Sequence, residues 1–192
     1  MASMDSNPAK NFMLALGVSR AALEITVSPA GLLRKMEWRW DQRVSEQPDL
    51  APPVVLWLAE VLPAYFTGGQ PMGSIPWEWI DESEWSAFQK QVYRAIAQIP
   101  HGETRTYGWA AERTGNGYAG RAVGRALRSN PLPILIPCHR VVAVTSVGGF
   151  MGSIDPECSE IRLKQRLIQL EEEYLNPVFD FLRPPSSSDS WS

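Results

Sequence analysis

The run Asn130-Pro131-Leu132-Pro133-Ile134-Leu135-Ile136-Pro137-Cys138-His139-Arg140-Val141-Val142 sets one of the chain's two cysteines beside one of its two histidines. A cysteine becomes a strong nucleophile near neutral pH once its thiolate is stabilised. A histidine can move a proton in the same range. Three prolines ahead of the sulfur and β-branched residues around it stiffen the backbone, so the run can hold a thiol in one place away from bulk water. Nucleophilic transfer to or through Cys138 is the chemistry these residues offer. The competing reading is a buried, inert thiol, the usual fate of a lone cysteine. Cys158, in the polar stretch Asp155-Pro156-Glu157-Cys158-Ser159-Glu160, reads as an exposed, incidental thiol, and His101 as a surface or turn residue.

A second constellation is basic. Six arginines (105, 113, 121, 125, 128, 140) face only Glu103 and Glu112 between His101 and Arg140, within a chain of net charge −3. A local basic face on an acidic protein suits a focused phosphate contact better than a coat for any nucleic acid. Arg121, Arg125 and Arg128 fall at i, i+4 and i+7, on one helix face, with Ala122, Val123, Ala126 and Leu127 opposite. By themselves they also read as an ordinary solvated face.

Elements must carry these groups. At 192 residues and 44% hydrophobic content, the chain can bury one good core or two small ones. Residues 11–45 alternate short apolar runs (12–18, 23–27, 32–40) with turn signals at Ser28-Pro29 and Gly31, which predicts a small antiparallel sheet. Val54, Leu58, Val61 and Leu62 predict a helix over 53–65. Residues 67–76 read as a loop linking two domains, followed by a short extended piece over 77–80. Trp85, Phe88, Val92 and Ile96 recur at helical steps until Pro100 and Gly102. Thr106 can cap a helix over 107–113, and a further helix over 120–129 stops at Asn130-Pro131; the pair forms a helix-turn-helix pattern. A glycine loop (148, 149, 152) and a last helix over 160–174 follow. Tryptophans 38, 40, 57, 77, 79 and 85 read as packing. Residues 1–10 and 176–192 read as flexible ends flanking domains at 11–80 and 81–175.

Composition also excludes. Two cysteines give no disulfide framework, and the N-terminal half has no Cys or His, which speaks against a structural zinc site. No apolar run approaches a membrane span; residues 54–66 are interrupted by Glu60 and Pro63. No basic-then-apolar leader pattern opens the sequence, so the expected compartment is the cytoplasm, or the nucleus in a eukaryote.

Pro137-Cys138-His139-Arg140, joined to Gly102-Glu103-Thr104, Tyr107 and Arg121-Ala122-Val123-Gly124 at their spacing, closely resembles the O6-alkylguanine-DNA alkyltransferases over about residues 88–175. The resemblance implies an α+β fold, with a small RNase H-like antiparallel sheet and helix before a helical, winged-helix-like helix-turn-helix domain that carries the cysteine. It implies a methylated-DNA–[protein]-cysteine S-methyltransferase, acting once, with no cofactor and no metal. Cys138 would take an alkyl group from O6-alkylguanine, with O4-alkylthymine as a further substrate, in double-stranded DNA. The partner DNA would be bound by a monomer through the minor groove, where contacts are nearly sequence-independent. The target base would be flipped out, because a thiolate cannot reach it in the stack.

By the same resemblance, His139 would accept the thiol proton through a water and a carboxylate would orient the imidazole. Lys164-x-x-Leu167-Ile168-x-x-Glu171 matches the family's last helix, which points to Glu171. Tyr107 would donate toward guanine N3, and Arg121 would fill the gap left by the flipped base, with Arg125 and Arg128 beside it on the DNA face. Asn130 would bridge the turn to the cysteine segment, Pro133 would line the alkyl pocket, and main-chain groups of Cys138 and Val141 would read the guanine edge. Arg140, Met151, Gly152 and Lys164 belong to the same expected substrate and DNA site. Met151 departs from the pattern, replacing a residue with a hydroxyl, and residues 154–161 are extra; the glycine loop would act as a lid.

Three other functions compete. A noncatalytic alkyltransferase-like protein would bind the lesion and flag it for another pathway, but such proteins usually carry Trp in place of the cysteine. A cysteine hydrolase would keep its histidine distant in sequence. A transcription regulator would leave the cysteine segment unexplained.

Overall fold

The computed structural model describes residues 9–16, 21–40 and 51–176. The expected flexible ends lie almost wholly outside them. Three antiparallel strands open the fold: β1 Lys10–Ala15, β2 Ala21–Val27 and β3 Leu33–Trp40, in the order β1-β2-β3. Alternation decides which side faces inward. Leu14, Leu23, Ile25 and Met36 are buried on the face that receives α1 Pro53–Gly68. Val54, Val55, Leu58, Leu62 and Tyr65 form the buried stripe of α1. The helix runs three residues past the expected end, accommodating Pro63, and stops at Gly69 in the left-handed conformation with φ 67°. Only the segment after Gly69 is therefore loop.

The tryptophan segment departs from expectation. Trp77–Trp79 is a 3-10 turn rather than an extended piece, and it delivers Ile80 to a bridge with Leu33. The Asp81 amide then donates to the Leu33 carbonyl, and Arg34 pairs with the Asp81 carboxylate at 2.7 Å.

Three helices follow. α2 Ala87–Ile96 starts at a capping box, in which Ser86 and Gln89 satisfy each other's orphan amides. Thr106 Oγ1 accepts from the Trp109 amide and caps α3 Tyr107–Arg113, and α4 Gly120–Arg128 completes the helix-turn-helix. Two parallel two-residue strands, β4 Arg105–Thr106 and β5 Val141–Val142, tie the start of α3 to the end of the cysteine segment. α5 Ser159–Leu175 closes the fold. Its N-cap is Cys158, whose sulfur accepts from the Ile161 amide and donates to Ser153 Oγ at 3.0 Å. That thiol is half-buried and structural, which corrects the reading of it as exposed and incidental.

One continuous hydrophobic core runs from the sheet through α1 and α2 to α4, the cysteine segment and α5. The backbone joins the two halves as well, since the Met36 amide of β3 donates to the Pro131 carbonyl at 2.8 Å. The architecture is α+β, with the cysteine segment threaded through its centre.

Candidate active site

Residues 130–140 form the buried spine of the site. Asn130 organises it with both ends of its amide: Oδ1 accepts from the Leu132 amide, while Nδ2 donates to the Ile136 carbonyl at 2.9 Å and to Cys138 Sγ at 3.1 Å. Ile134 takes φ 74°, a conformation that costs a β-branched residue about 1–3 kcal/mol. The prolines and the Pro133–Ile136 bridge hold it there. The chain then turns through a 3-10 element, Cys138–Arg140, that points Cys138 and His139 in different directions.

Cys138 Sγ opens onto a cleft of about 480 Å³. One wall is α4, with Arg121, Gly124, Arg125 and Arg128; the other is the glycine loop, with Gly148, Gly149, Phe150, Met151, Gly152 and Ile154; Tyr107 closes the end. The three arginines are exposed, and no ion pair with a described residue engages them. Val123, Ala126 and Leu127 bury the opposite face of α4. Cys138 as a whole is 6% exposed. Burial pushes its thiol above the ordinary value, against the smaller opposing influence of the Asn130 hydrogen bond and the Lys164 charge. A neutral thiol in such a place needs a base to become a nucleophile.

His139, the next residue, is the candidate for that base. Its ring is fully buried, with Nε2 2.8 Å from Glu171 Oε1 and Nδ1 without a hydrogen-bond partner among the described residues. Burial lowers its pKa more than Glu171 raises it, so the imidazole is neutral at rest. The carboxylate fixes the tautomer that carries its proton on Nε2 and leaves Nδ1 as the acceptor.

Glu171 itself is 1% exposed and serves five donors. Oε1 accepts from Tyr65 Oη at 2.7 Å, His139 Nε2 at 2.8 Å and Arg140 Nη2 at 3.0 Å. Oε2 accepts from Arg140 Nε at 2.9 Å and the Gly102 amide at 3.1 Å. Burial would raise its pKa, but the hydrogen bonds and charges of His139 and Arg140 hold it well below the usual carboxylate range. The bidentate Arg140 pair suffices to keep the carboxylate ionised beside a neutral imidazole. Within the run Glu171-Glu172-Glu173 only the first is buried, because the helical phase of α5 turns that position toward the core.

Lys164, about two turns earlier on α5, is also fully buried. Its Nζ donates to the Val141 carbonyl at 2.6 Å and the Gly149 carbonyl at 3.0 Å, and desolvation brings it down to about 8. It thereby clamps the glycine loop to β5. Tyr107 Oη donates to the same Gly149 carbonyl at 3.2 Å, and burial raises its pKa, with the nearby Cys138 thiolate adding to the rise.

The structure brings Cys138, Tyr107, Arg121, Arg125, Arg128, Met151 and Gly152 together around the cleft, with Asn130, His139, Glu171 and Lys164 behind it. Four expectations need correction. Arg140 is no free DNA contact: its guanidinium is bound to Glu171, to the Ile99 carbonyl and to His101, and its side chain is 12% exposed. Pro133 is buried in the spine and lines no part of the cleft, because the turn at Ile134 carries it inward. Val141 lies outside the lining too, its carbonyl bound by Lys164. His101 is no surface residue either; it packs edge-on against Tyr65 and Tyr174 with Nδ1 3.7 Å from Glu171 Oε1. Sequence reading missed Tyr65 altogether, for an aromatic at helical spacing in α1 carries only a core signal.

Comparison with known proteins follows the same geometry. The family described as 6-O-methylguanine DNA methyltransferase, DNA binding domain, matches residues 87–173. A methylated-DNA–protein-cysteine methyltransferase of Methanosarcina acetivorans is 44% identical over 88 residues, 46% of this chain and 53% of that protein. One from Archaeoglobus fulgidus is 38% identical over 116 residues, 59% of this chain and 72% of the relative. The match thus spans about half the length of the first of these relatives. Among solved structures, Mycobacterium tuberculosis OGT in complex with DNA superposes with a TM-score of 0.62 at 27% identity, covering 85% of this chain and 93% of that one.

Proposed function

This chain belongs to the methylated-DNA–protein-cysteine methyltransferase family, and on that premise we propose that it repairs DNA by moving an alkyl group from O6-alkylguanine to Cys138. The observation that carries the reading is the floor of the cleft. A buried thiol with a neutral imidazole and an ionised carboxylate behind it opens directly beneath a face of three exposed arginines.

Each part has a task in that reaction. Arg125 and Arg128 neutralise phosphates while α4, lined by Gly120 and Gly124 on its cleft side, approaches the minor groove of a duplex. Arg121, nearest the start of α4, occupies the gap left by the extruded nucleotide. His139 Nδ1 receives the Cys138 proton, through a bridging water, and Glu171 stabilises the imidazolium. The sulfur then attacks the alkyl carbon in line. An S–C bond forms as the C–O6 bond breaks, and its electron pair passes to the purine. Tyr107 Oη, released from Gly149, donates to the purine as negative charge develops, and the proton taken from the thiol finally restores guanine. The product thioether has no ready leaving route, so each monomer acts once.

Titration with excess O6-methylguanine duplex tests this. Restored guanine should plateau at one equivalent of protein, and Cys138→Ala should yield none while still binding the duplex. Continued turnover, or an undiminished yield from Cys138→Ala, would overturn the proposal.

A further inference from the structure

Tyr65 lies 106 residues from Glu171 in sequence, in the last turn of α1, and is completely buried. Its ring is held edge-on by Phe66 and His101. Its hydroxyl donates to Glu171 Oε1 at 2.7 Å, the oxygen that also binds His139 Nε2, and lies 3.4 Å from that nitrogen. Burial pushes the phenol well above its ordinary value, so it stays a donor across the working range. The end of α1 is registered directly on α5. A Cβ at Gly69 would lie 2.5 Å from the Leu170 carbonyl oxygen, one residue before Glu171, so the two backbones meet with no space between them.

We propose that Tyr65 is a positioning residue of the transfer reaction: through its hydroxyl, the N-terminal sheet-and-helix unit holds Glu171 in register with His139 and sets the basicity of the imidazole. This deepens the functional reading above and rests on it for its meaning in the cell. The groups around the carboxylate are Tyr65 from α1, His101 and the Gly102 amide from the loop after α2, and His139 and Arg140 from the cysteine segment. The Lys164 ammonium completes the charged surroundings of the imidazole, and the Cys138 thiol is its titratable neighbour in the chain. Of these only Tyr65 is a neutral donor on the oxygen that binds His139. Its hydrogen bond draws charge from Oε1 and so restrains the pull of the carboxylate on the imidazole proton. Without it, the imidazole becomes more basic and is already protonated at a pH where it should be accepting the thiol proton.

The test reads the thiol directly. In a Cys158→Ser background only Cys138 reports, and Ser is a preferred N-cap for α5. The rate of Cys138 alkylation by iodoacetamide is followed against pH. Tyr65→Phe, which keeps the ring packing, should move the acid limb upward by about half to one pH unit, the scale of one hydrogen bond, so that rates on that limb fall roughly 3- to 10-fold. Replacing Tyr65 by 3-fluorotyrosine, a stronger donor, should move the limb downward. Superimposable limbs for folded Tyr65→Phe and parent would overturn the proposal. If Tyr65→Phe fails to fold, an unmoved limb in the fluorotyrosine protein overturns it alone. The same proteins are then given O6-methylguanine duplex. A parent that alkylates with iodoacetamide but takes no methyl from DNA sinks the functional reading, while the thiol profiles still decide the role of Tyr65.

Discussion

Replacing Glu171 by Gln keeps the side chain's shape and removes its charge. Five donors converge on the two carboxylate oxygens, and an amide offers only one oxygen. Wherever its NH2 points, it meets donors: Tyr65, His139 and Arg140 Nη2 on one side, Arg140 Nε and Gly102 on the other. Arg140, 12% exposed, is left as a buried cation without its counter-charge. Removing one partner of a buried ion pair costs about 3–5 kcal/mol, against a total stability of about 5–15 kcal/mol for a chain of this kind. Urea unfolding at neutral pH should show that loss as a lower midpoint at unchanged slope. The carboxyl is held below its unfolded value, so its stabilisation is present above about pH 4.3 and is lost as pH falls further. The difference between parent and Glu171→Gln should therefore narrow in acid. A loss under about 1 kcal/mol at neutral pH, or one that does not change with pH, would refute the buried five-donor carboxylate.

Other expectations follow from neighbouring geometry. Arg125→Ala and Arg128→Ala should each weaken duplex binding and reduce its salt slope by about one, which fluorescence anisotropy at several salt concentrations measures; an unchanged slope would remove that arginine from the phosphate contact. Gly148 has φ 70°, and a Cβ there would lie 3.0 Å from Tyr107 Cε2 and 3.1 Å from the Ala143 amide nitrogen. Gly148→Ala should lower thermal stability by more than about 1 kcal/mol and slow transfer, whereas an unaltered melt would show that the loop yields freely. Burial depresses His139, so its unfolded form takes up protons first; its contribution is whole above about pH 6.5 and declines as pH falls below that. Parent stability should thus begin to fall below about pH 6.5, and His139→Gln should flatten that portion of the curve. Cys158→Ser should leave the melting temperature within a few degrees of the parent or raise it, and a large drop would mean the sulfur does more than cap α5.

Much of the site was legible because its chemistry is concentrated in one stretch. Cys138, His139 and Asn130 sit within ten residues, and the arginine face of α4 follows from helical spacing alone. The capped helices were legible for the same reason: Thr106 and the Asn130-Pro131 stop act locally. What escaped depends on burial and on distant partners. Arg140 counts as one more positive charge in a basic cluster until the fold shows its guanidinium turned inward onto Glu171. Tyr65 and His101 look like a core aromatic and a loop histidine, and only the packing of α1 on α5 makes them neighbours of a carboxylate. Trp77–Trp79 could not be told from an extended segment, since three residues are too few for a period to appear.

Peptide mass mapping after reaction with excess O6-methylguanine duplex tests the central claim most directly. The account predicts one added methyl group per molecule, carried by the peptide containing Cys138, with Cys158 unmodified. A methyl on any other residue, or none on a protein that still binds the duplex, would contradict it.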